Sequence, residues 1–357
     1  MGFSLATVKS LLRSGISLAL YATGLPLVLT RGKVAILMYH RVLEPEETAG
    51  VQPGMYVSAE TFRKHMRFLA AHFKVISFQD LLERLKNKSF KDAARYGVIT
   101  FDDGWRDNYD NAYPILREYG FPATIFIATA YVGTNKWFWP ERLAYLLKEL
   151  DSAGHAGYSS ETLSGLMQKY GIACQRQGAW GGQADRIIER LKARPSEEII
   201  SLLAGLEDLL GKECPAKRLL LSWAEVKEMS GCGVSFGSHT ANHRILDGLS
   251  DYEIRTELEV SRSELLRRDI NFVPVFCYPN GNYNPRVVRL VKEAGYEAAV
   301  NTHPGQVKIG TNDLYTLNRI GVHNDISYNT YTFAFLIARM LHVSFHPKTS
   351  PPLAGGD

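Results

Sequence analysis

The chain holds only four cysteines in 357 residues, Cys174, Cys214, Cys232 and Cys277, and no C-x-x-C. That scarcity excludes a disulfide-stapled scaffold and mildly favours a reducing compartment, so all four read as scattered buried thiols. A surplus of one charge is missing as well: 41 Lys and Arg face 37 Asp and Glu, a net of +4. With no basic run interleaved with aromatics, no zinc-finger spacing and no RNP-like string, a nucleic-acid partner is excluded. There is no internal repeat and no low-complexity segment. Nor is there an apolar run long enough to cross a bilayer comfortably. Ordinary composition remains, 45% apolar and 22% charged. It suits one large α/β domain with an insertion, or two modest domains.

Against that background two short segments stand out. Residues 99–104 read Ile-Thr-Phe-Asp-Asp-Gly, a strand run ending in two carboxylates and a glycine. Residues 237–243 read Gly-Ser-His-Thr-Ala-Asn-His, two imidazoles in H-x-x-x-H spacing after the strand run Val234-Ser235-Phe236. One carboxylate and two histidines make a three-donor set for a borderline divalent cation, with a position left for water. The second carboxylate is placed to act as base.

The pattern resembles the polysaccharide deacetylase family, the NodB-homology domain of carbohydrate esterase family 4. Thr100–Gly104 matches the family's T-F-D-D-G motif, and His239–His243 matches H-[ST]-x-x-H. Phe276-Cys277-Tyr278-Pro279-Asn280-Gly281 loosely matches its strand and proline-glycine turn. The likeness runs from about Lys33 to Val322, interrupted by one long insertion. It implies that Asp103, His239 and His243 hold a divalent transition metal, with zinc expected, and that Asp102 is the general base. It also places an oxyanion donor in the Pro279–Gly281 turn, at the Asn280 N–H. His40, in Tyr-His-Arg at the end of the first strand, is the candidate general acid. Circularly permuted members carry their acid near the N-terminus in such a context. His323 competes weakly for that role, and His303 is a candidate pocket residue; the other histidines read as structural or exposed. One departure matters: the third motif's arginine, which pairs with the base, is replaced by Cys277. Arg319 or Arg41 is then expected to supply that charge, since burial alone would raise the base's pKa.

Apolar runs and capping signals alternate along the chain. Strands are expected at 33–40, 98–101, 121–129, 234–236, 273–278, 297–301 and 317–322. Helices are expected at 58–73 and 108–119, after the capping boxes at Ser222–Glu225 and Ser250–Glu253, and from Pro285. This order implies a mostly parallel sheet with its site at the strands' C-terminal ends. The expected fold is a distorted (β/α) barrel of about seven strands with a helical insertion and apolar terminal helices. Its parts are an apolar N-terminal segment (1–32), the barrel (33–326) with its insertion (134–220), and a C-terminal amphipathic helix and tail (327–357). The insertion, opening on Trp137-Phe138-Trp139-Pro140, reads equally as a lid or as a peripheral decoration.

Both ends carry apolar segments. Ile16–Leu29 is uncharged but interrupted by Gly24 and Pro26, with Lys9 and Arg13 before it and Arg31 and Lys33 after it. An interfacial or re-entrant segment ranks first, a core helix second and a cleaved signal third. Phe333, Leu336, Ile337, Met340 and Leu341 fall at helical spacing, readable as core or as a second membrane-facing stripe. The expectation is therefore a metal-dependent de-N-acetylase of an N-acetylated amino sugar, linked to polyprenyl phosphate. It would be monotopic, on the cytoplasmic face of the bacterial inner membrane. An extracytoplasmic polysaccharide deacetylase and a catalytically silent carbohydrate-binding protein are the alternatives.

Overall fold

The computed structural model describes residues 5–48, 50–91, 93–153, 160–172, 180–307 and 313–343. His155, Cys174, His346 and Lys348 lie outside them, as does the side chain of Lys9.

Seven parallel strands form a curled half-barrel: β1 (Val34–Tyr39), β2 (Tyr96–Phe101), β3 (Ala123–Ile127), β4 (Val234–Ser238), β5 (Phe272–Cys277), β6 (Ala298–Val300) and β7 (Ile320–Gly321). They pair in the order β7-β1-β2-β3-β4-β5-β6. The two edges are joined by one stretch of chain, in which Leu317 bridges to Val300 and Ile320 lies opposite Leu37 on β1. β1, β2 and β3 are buried along their whole length because helices cover one face and the barrel interior the other. That is why their sequences read as continuous apolar runs rather than alternating ones.

The expected helices form where their caps predicted. Ser222, Ser250 and Asn284 accept from the N3 backbone N–H groups of Trp223–Ser230, Asp251–Leu266 and Pro285–Glu293. The helix expected over 108–119 is split, a wider π turn at Asn108–Ala112 preceding Tyr113–Tyr119. The insertion leaves from the C-terminal end of β3, on the side where the site forms. Its helices bury a core of their own, including Leu143, Leu147, Met167, Ile188, Leu202 and Leu206. Trp139 packs on that core, while Trp137 donates Nε1–H to the Lys217 carbonyl, 2.8 Å away. Both tryptophans anchor the insertion.

The two ends behave differently. In the C-terminal helix Thr330–Met340, Phe333 and Ile337 are fully enclosed, Leu336 and Leu341 nearly so. Phe333 stacks on His65 at 3.8 Å. This overturns the second membrane-facing stripe: the barrel's helical layer consumes the apolar face. The N-terminal helix Leu5–Ala22 and the short helix Leu25–Leu29 pack on this C-terminal helix through one side only. Tyr21 and Leu27 reach the core, and Arg13 donates to the Asp325 carbonyl. The other side leaves Leu12, Ile16, Leu18, Leu25 and Val28 exposed, Val28 by 65%. No described helix is long and apolar enough to cross a membrane.

Candidate active site

Strand ends deliver most of the site residues to one place. His40 follows β1, Asp102 and Asp103 follow β2, His239 follows β4, and Cys277 ends β5. Arg319 precedes β7 and is fully buried. Side chains at the C-terminal ends of parallel strands converge because the strands tilt together around the barrel.

Asp103 and the two histidines form the first cluster. The Asp103 Oδ1 atom lies 3.4 Å from His239 Nε2 and 3.2 Å from His243 Nε2. Its other oxygen accepts from Trp105 Nε1 at 2.9 Å. The remaining ring nitrogen of His239, Nδ1, is 2.8 Å from the Cys277 carbonyl, which fixes the ring and its tautomer. Three donor atoms thus converge within 4.8 Å of one another, each oriented by a further hydrogen bond or by packing. A carboxylate and two imidazoles, one locked by a backbone carbonyl, fit a divalent metal of borderline softness. Burial pushes the Asp103 carboxyl up, but hydrogen bonds from both histidines hold it well below the ordinary range. Its charge is therefore available to a cation.

The backbone is bent to make this possible. Asp103, Thr240, His243 and Asn280 all sit at positive φ (74°, 66°, 57° and 57°), where side chains are unfavourable and a β-branched Thr especially so. Such strain persists only where surrounding contacts over-determine it. Gly104 shows one such constraint: at φ 79°, an added Cβ would come within 2.7 Å of the Ile127 methyl. The glycine of the D-D-G motif is thus required both by conformation and by space.

Asp102 is held separately. Arg319 donates to both its oxygens, each at 2.6 Å, and to the Asn301 carbonyl and Thr100 Oγ1 at 2.9 and 3.2 Å. Its Nη2 also lies 3.2 Å from Cys277 Sγ. Burial alone would raise the Asp102 pKa; the Arg319 charge outweighs it and keeps the carboxyl below its usual value. Cys277 sits where the family's third motif has its arginine, and its small side chain leaves the room that Arg319 fills from the opposite end of the sheet. Arg41, the other candidate, is committed elsewhere: its Nε donates to Asp107 at 2.8 Å and its guanidinium covers the Trp105 ring at 4.4 Å.

His40 Nε2 stands 4.0 Å from Asp102 Oδ2, with a fifth of the side chain exposed to the cleft. Burial lowers its pKa, and the Asp103 and Asp102 charges oppose that shift. His323 instead pairs with Asp325. The His303 ring faces Tyr283, with centroids 6.0 Å apart, and its carbonyl accepts from the Arg319 backbone N–H. Asn280 stands exposed in its turn; its carbonyl accepts from Thr302 Oγ1, and its own N–H has no backbone acceptor among the described residues. His65 is enclosed against Tyr39 Oη and the Ser327 carbonyl, as a structural histidine.

Sequence reasoning missed three contributors. Trp105 orients Asp103, and its place two residues on was the available signal. Phe138, at the root of the insertion, packs on His243 at 4.6 Å and on Trp105 at 5.6 Å. Glu141 stands in the first turn of helix Trp139–Ala153, close enough for the Asp103 charge to act on it.

Known proteins carry the same pattern. The family model "Polysaccharide deacetylase" matches residues 91–164 and 200–299. The Bacillus subtilis (strain 168) protein "Putative polysaccharide deacetylase YxkH" is 22% identical over 303 residues, 84% of this chain and 75% of that one. A poly-beta-1,6-N-acetyl-D-glucosamine N-deacetylase of Staphylococcus aureus (strain MSSA476) is 37% identical over 82 residues, 23% of this chain and 28% of its own length. Among solved structures, Streptococcus pyogenes deacetylase PplD in complex with acetate superposes with a TM-score of 0.56 at 21% identity, covering 86% of this chain and 99% of that one. IcaB from Ammonifex degensii gives 0.54 at 16%, over 85% and 97%. At such identities the structural matches establish the fold alone.

Proposed function

Because the chain belongs to the polysaccharide deacetylase family, whose members are hydrolases of N-acetyl amide bonds, we propose that it is a metal-dependent de-N-acetylase of a polyprenyl-phosphate-linked N-acetylated amino sugar. The observation that carries the enzymatic reading is the Asp102–Arg319 pair: a buried carboxylate kept ionised beside a three-donor set, and not itself one of the three. A carbohydrate-binding protein without turnover has no use for such a base.

Asp103, His239 and His243 would hold the divalent ion, zinc by the nature of the donors. It would supply Lewis acidity toward the amide carbonyl and toward water. The chain's own residues do the rest. Asp102, kept ionised by Arg319, is the group placed to take the proton from the attacking water. Arg319 grips it bidentately, so the carboxylate is aimed as well as charged. The Asn280 N–H, which has no backbone acceptor among the described residues, is the donor offered to the oxyanion. His40 gives a proton to the departing amine, which leaves poorly unprotonated. It shares the cleft with Asp102, so the base's proton has a short path to it. An acid on the first strand also fits a circularly permuted arrangement.

The lipid-linked substrate rests on the exposed residues Leu12, Ile16, Leu18, Leu25 and Val28, rimmed by the exposed side chains of Arg13 and Arg31. An apolar face edged by cations suits the interface of an anionic leaflet. We place the protein there as a monotopic enzyme on the cytoplasmic face. A second reading, a polymeric substrate, is favoured by the 82-residue match to a poly-beta-1,6-N-acetyl-D-glucosamine N-deacetylase. Acetate release decides between them, measured with zinc-loaded protein on a polyprenyl-linked N-acetylated amino sugar in vesicles and on a soluble β-1,6-N-acetylglucosamine oligomer. Faster turnover of the vesicle substrate supports the first reading. Turnover of the oligomer alone supports the second, and acetate from neither would sink the de-N-acetylase proposal.

A further inference from the structure

The insertion returns to the site through one turn of helix. Phe138 packs on His243 and Trp105, and the Arg142 N–H is bonded to the Phe138 carbonyl, so the turn that starts at Phe138 is fixed against the metal-donor cluster. Residues three apart on a helix share a side, which puts Glu141 above Phe138. The Glu141 carboxylate is half-buried. Among the described residues it takes no partner beyond its own backbone N–H. Two charges of the site act on it: Asp103 raises its pKa and Arg41 lowers it. With burial the largest cause, the carboxyl is pushed up to about 7.

A carboxylate so placed has a cost. It is partly desolvated and near another carboxylate, and neither a lysine nor an arginine is hydrogen-bonded to it. Two other acidic residues of the insertion are paired, Glu207 with Arg142 and Glu149 with Lys212. Glu141, by contrast, has no cation partner among the described residues and lies close enough to the site for the Asp103 and Arg41 charges to act on it.

We propose that Glu141 is a specificity residue, accepting a hydrogen bond from a ring hydroxyl of the amino sugar whose N-acyl group lies at the Asp103–His239–His243 cluster. This rests on the de-N-acetylase reading and extends it, for it makes the helical insertion part of the substrate site. An N-acyl sugar carries a hydroxyl on a carbon next to the one bearing the nitrogen. A group that holds the hydroxyl therefore orients the amide. Acyl compounds without a sugar ring would gain nothing from it.

The test uses full-length, zinc-loaded protein with two substrates, tri-N-acetylchitotriose and p-nitrophenyl acetate. At pH 8, where the carboxyl is ionised, Glu141→Ala should lower kcat/KM on the oligosaccharide by roughly 10- to 100-fold, mostly through KM, as expected for losing a hydrogen bond to a charged group. It should leave p-nitrophenyl acetate hydrolysis and zinc content unchanged, and should not lower the melting temperature, since it removes an unpaired, partly desolvated carboxylate. Glu141→Gln, whose amide oxygen still accepts, should recover much of the loss. Equal losses on both substrates, or lost zinc, would overturn the assignment in favour of a structural or metal-holding role. Wild type active on the oligosaccharide with Glu141→Ala unimpaired would overturn this assignment alone. Wild type active on the ester but not on any N-acetylated sugar would overturn the functional reading together with it.

Discussion

Arg319 and Asp102 meet through two hydrogen bonds of 2.6 Å although 217 residues separate them in the chain. Both are buried, and the guanidinium's other donors are spent on Asn301, Thr100 and Cys277. The pair joins β2 to the stretch that closes the sheet, so it ties the chemistry to the closure of the fold.

Breaking the pair from the arginine side leaves a buried charge alone, which costs about 3–5 kcal/mol. Arg319→Met is expected to lower stability by that order in urea unfolding and to abolish activity. Arg319→Lys keeps the charge but not the fork, and should fold better than Arg319→Met while remaining slow. Near-normal turnover in Arg319→Lys would show that orientation of the base is unimportant.

Asp102→Asn preserves shape and touches none of the three proposed metal donors. Zinc content should stay at the wild-type level while kcat falls by roughly 100- to 10,000-fold, the usual worth of a general base. Asp103→Ala and His239→Ala should instead lose the metal, read by elemental analysis. If Asp102→Asn loses it too, the roles of the neighbouring carboxylates are reversed.

His40→Ala tests the general acid. Its loss should depend on the leaving group: large for an N-acetyl sugar, small for an activated ester whose alkoxide needs no proton. The same loss on both would move the acid role elsewhere and leave His40 as a packing residue.

His65 gives a pH prediction. Burial lowers its pKa from 6.5 to about 3 in the folded chain. The unfolded chain, with the ordinary value, therefore binds this proton first. Stability contributed by neutral His65 is complete above pH 6.5 and is lost as pH falls toward 3. The expected loss is about 1.4 kcal/mol per pH unit below 6.5. Urea midpoints at pH 7 and pH 5 should show this drop in wild type and a shallower one in His65→Gln. Parallel pH profiles for the two proteins would assign the acid sensitivity to other groups.

Ile16→Glu with Val28→Glu tests the membrane face without disturbing the packed side of the N-terminal helices. Both residues are exposed, so melting temperature should hold while co-sedimentation with anionic vesicles is lost. Vesicle binding equal to wild type would remove the N-terminal segment from the proposed docking surface.

Local sequence was enough wherever the signal was local. The strand runs before Asp102 and His239, the capping boxes at Ser222 and Ser250, and the glycine after Asp103 report on neighbours a few residues away, and backbone sterics fix their outcome. Parallel strands then require the site to lie at their C-terminal ends, so the Asp103–His239–His243 cluster could be expected from two short segments. Tertiary structure alone decided what depended on distance. Which arginine faced Asp102 turned on the room left by Cys277 and on the strand order, neither of which is visible from residue 319. The Phe333–Leu341 stripe has the same spacing whether it meets lipid or a protein core. Only the presence of His65, Phe68 and the N-terminal helix around it settled that it is core. Glu141 looks in sequence like any acidic residue in a helix's first turn, and only the docking of Phe138 against His243 brings that turn within reach of the Asp103 charge.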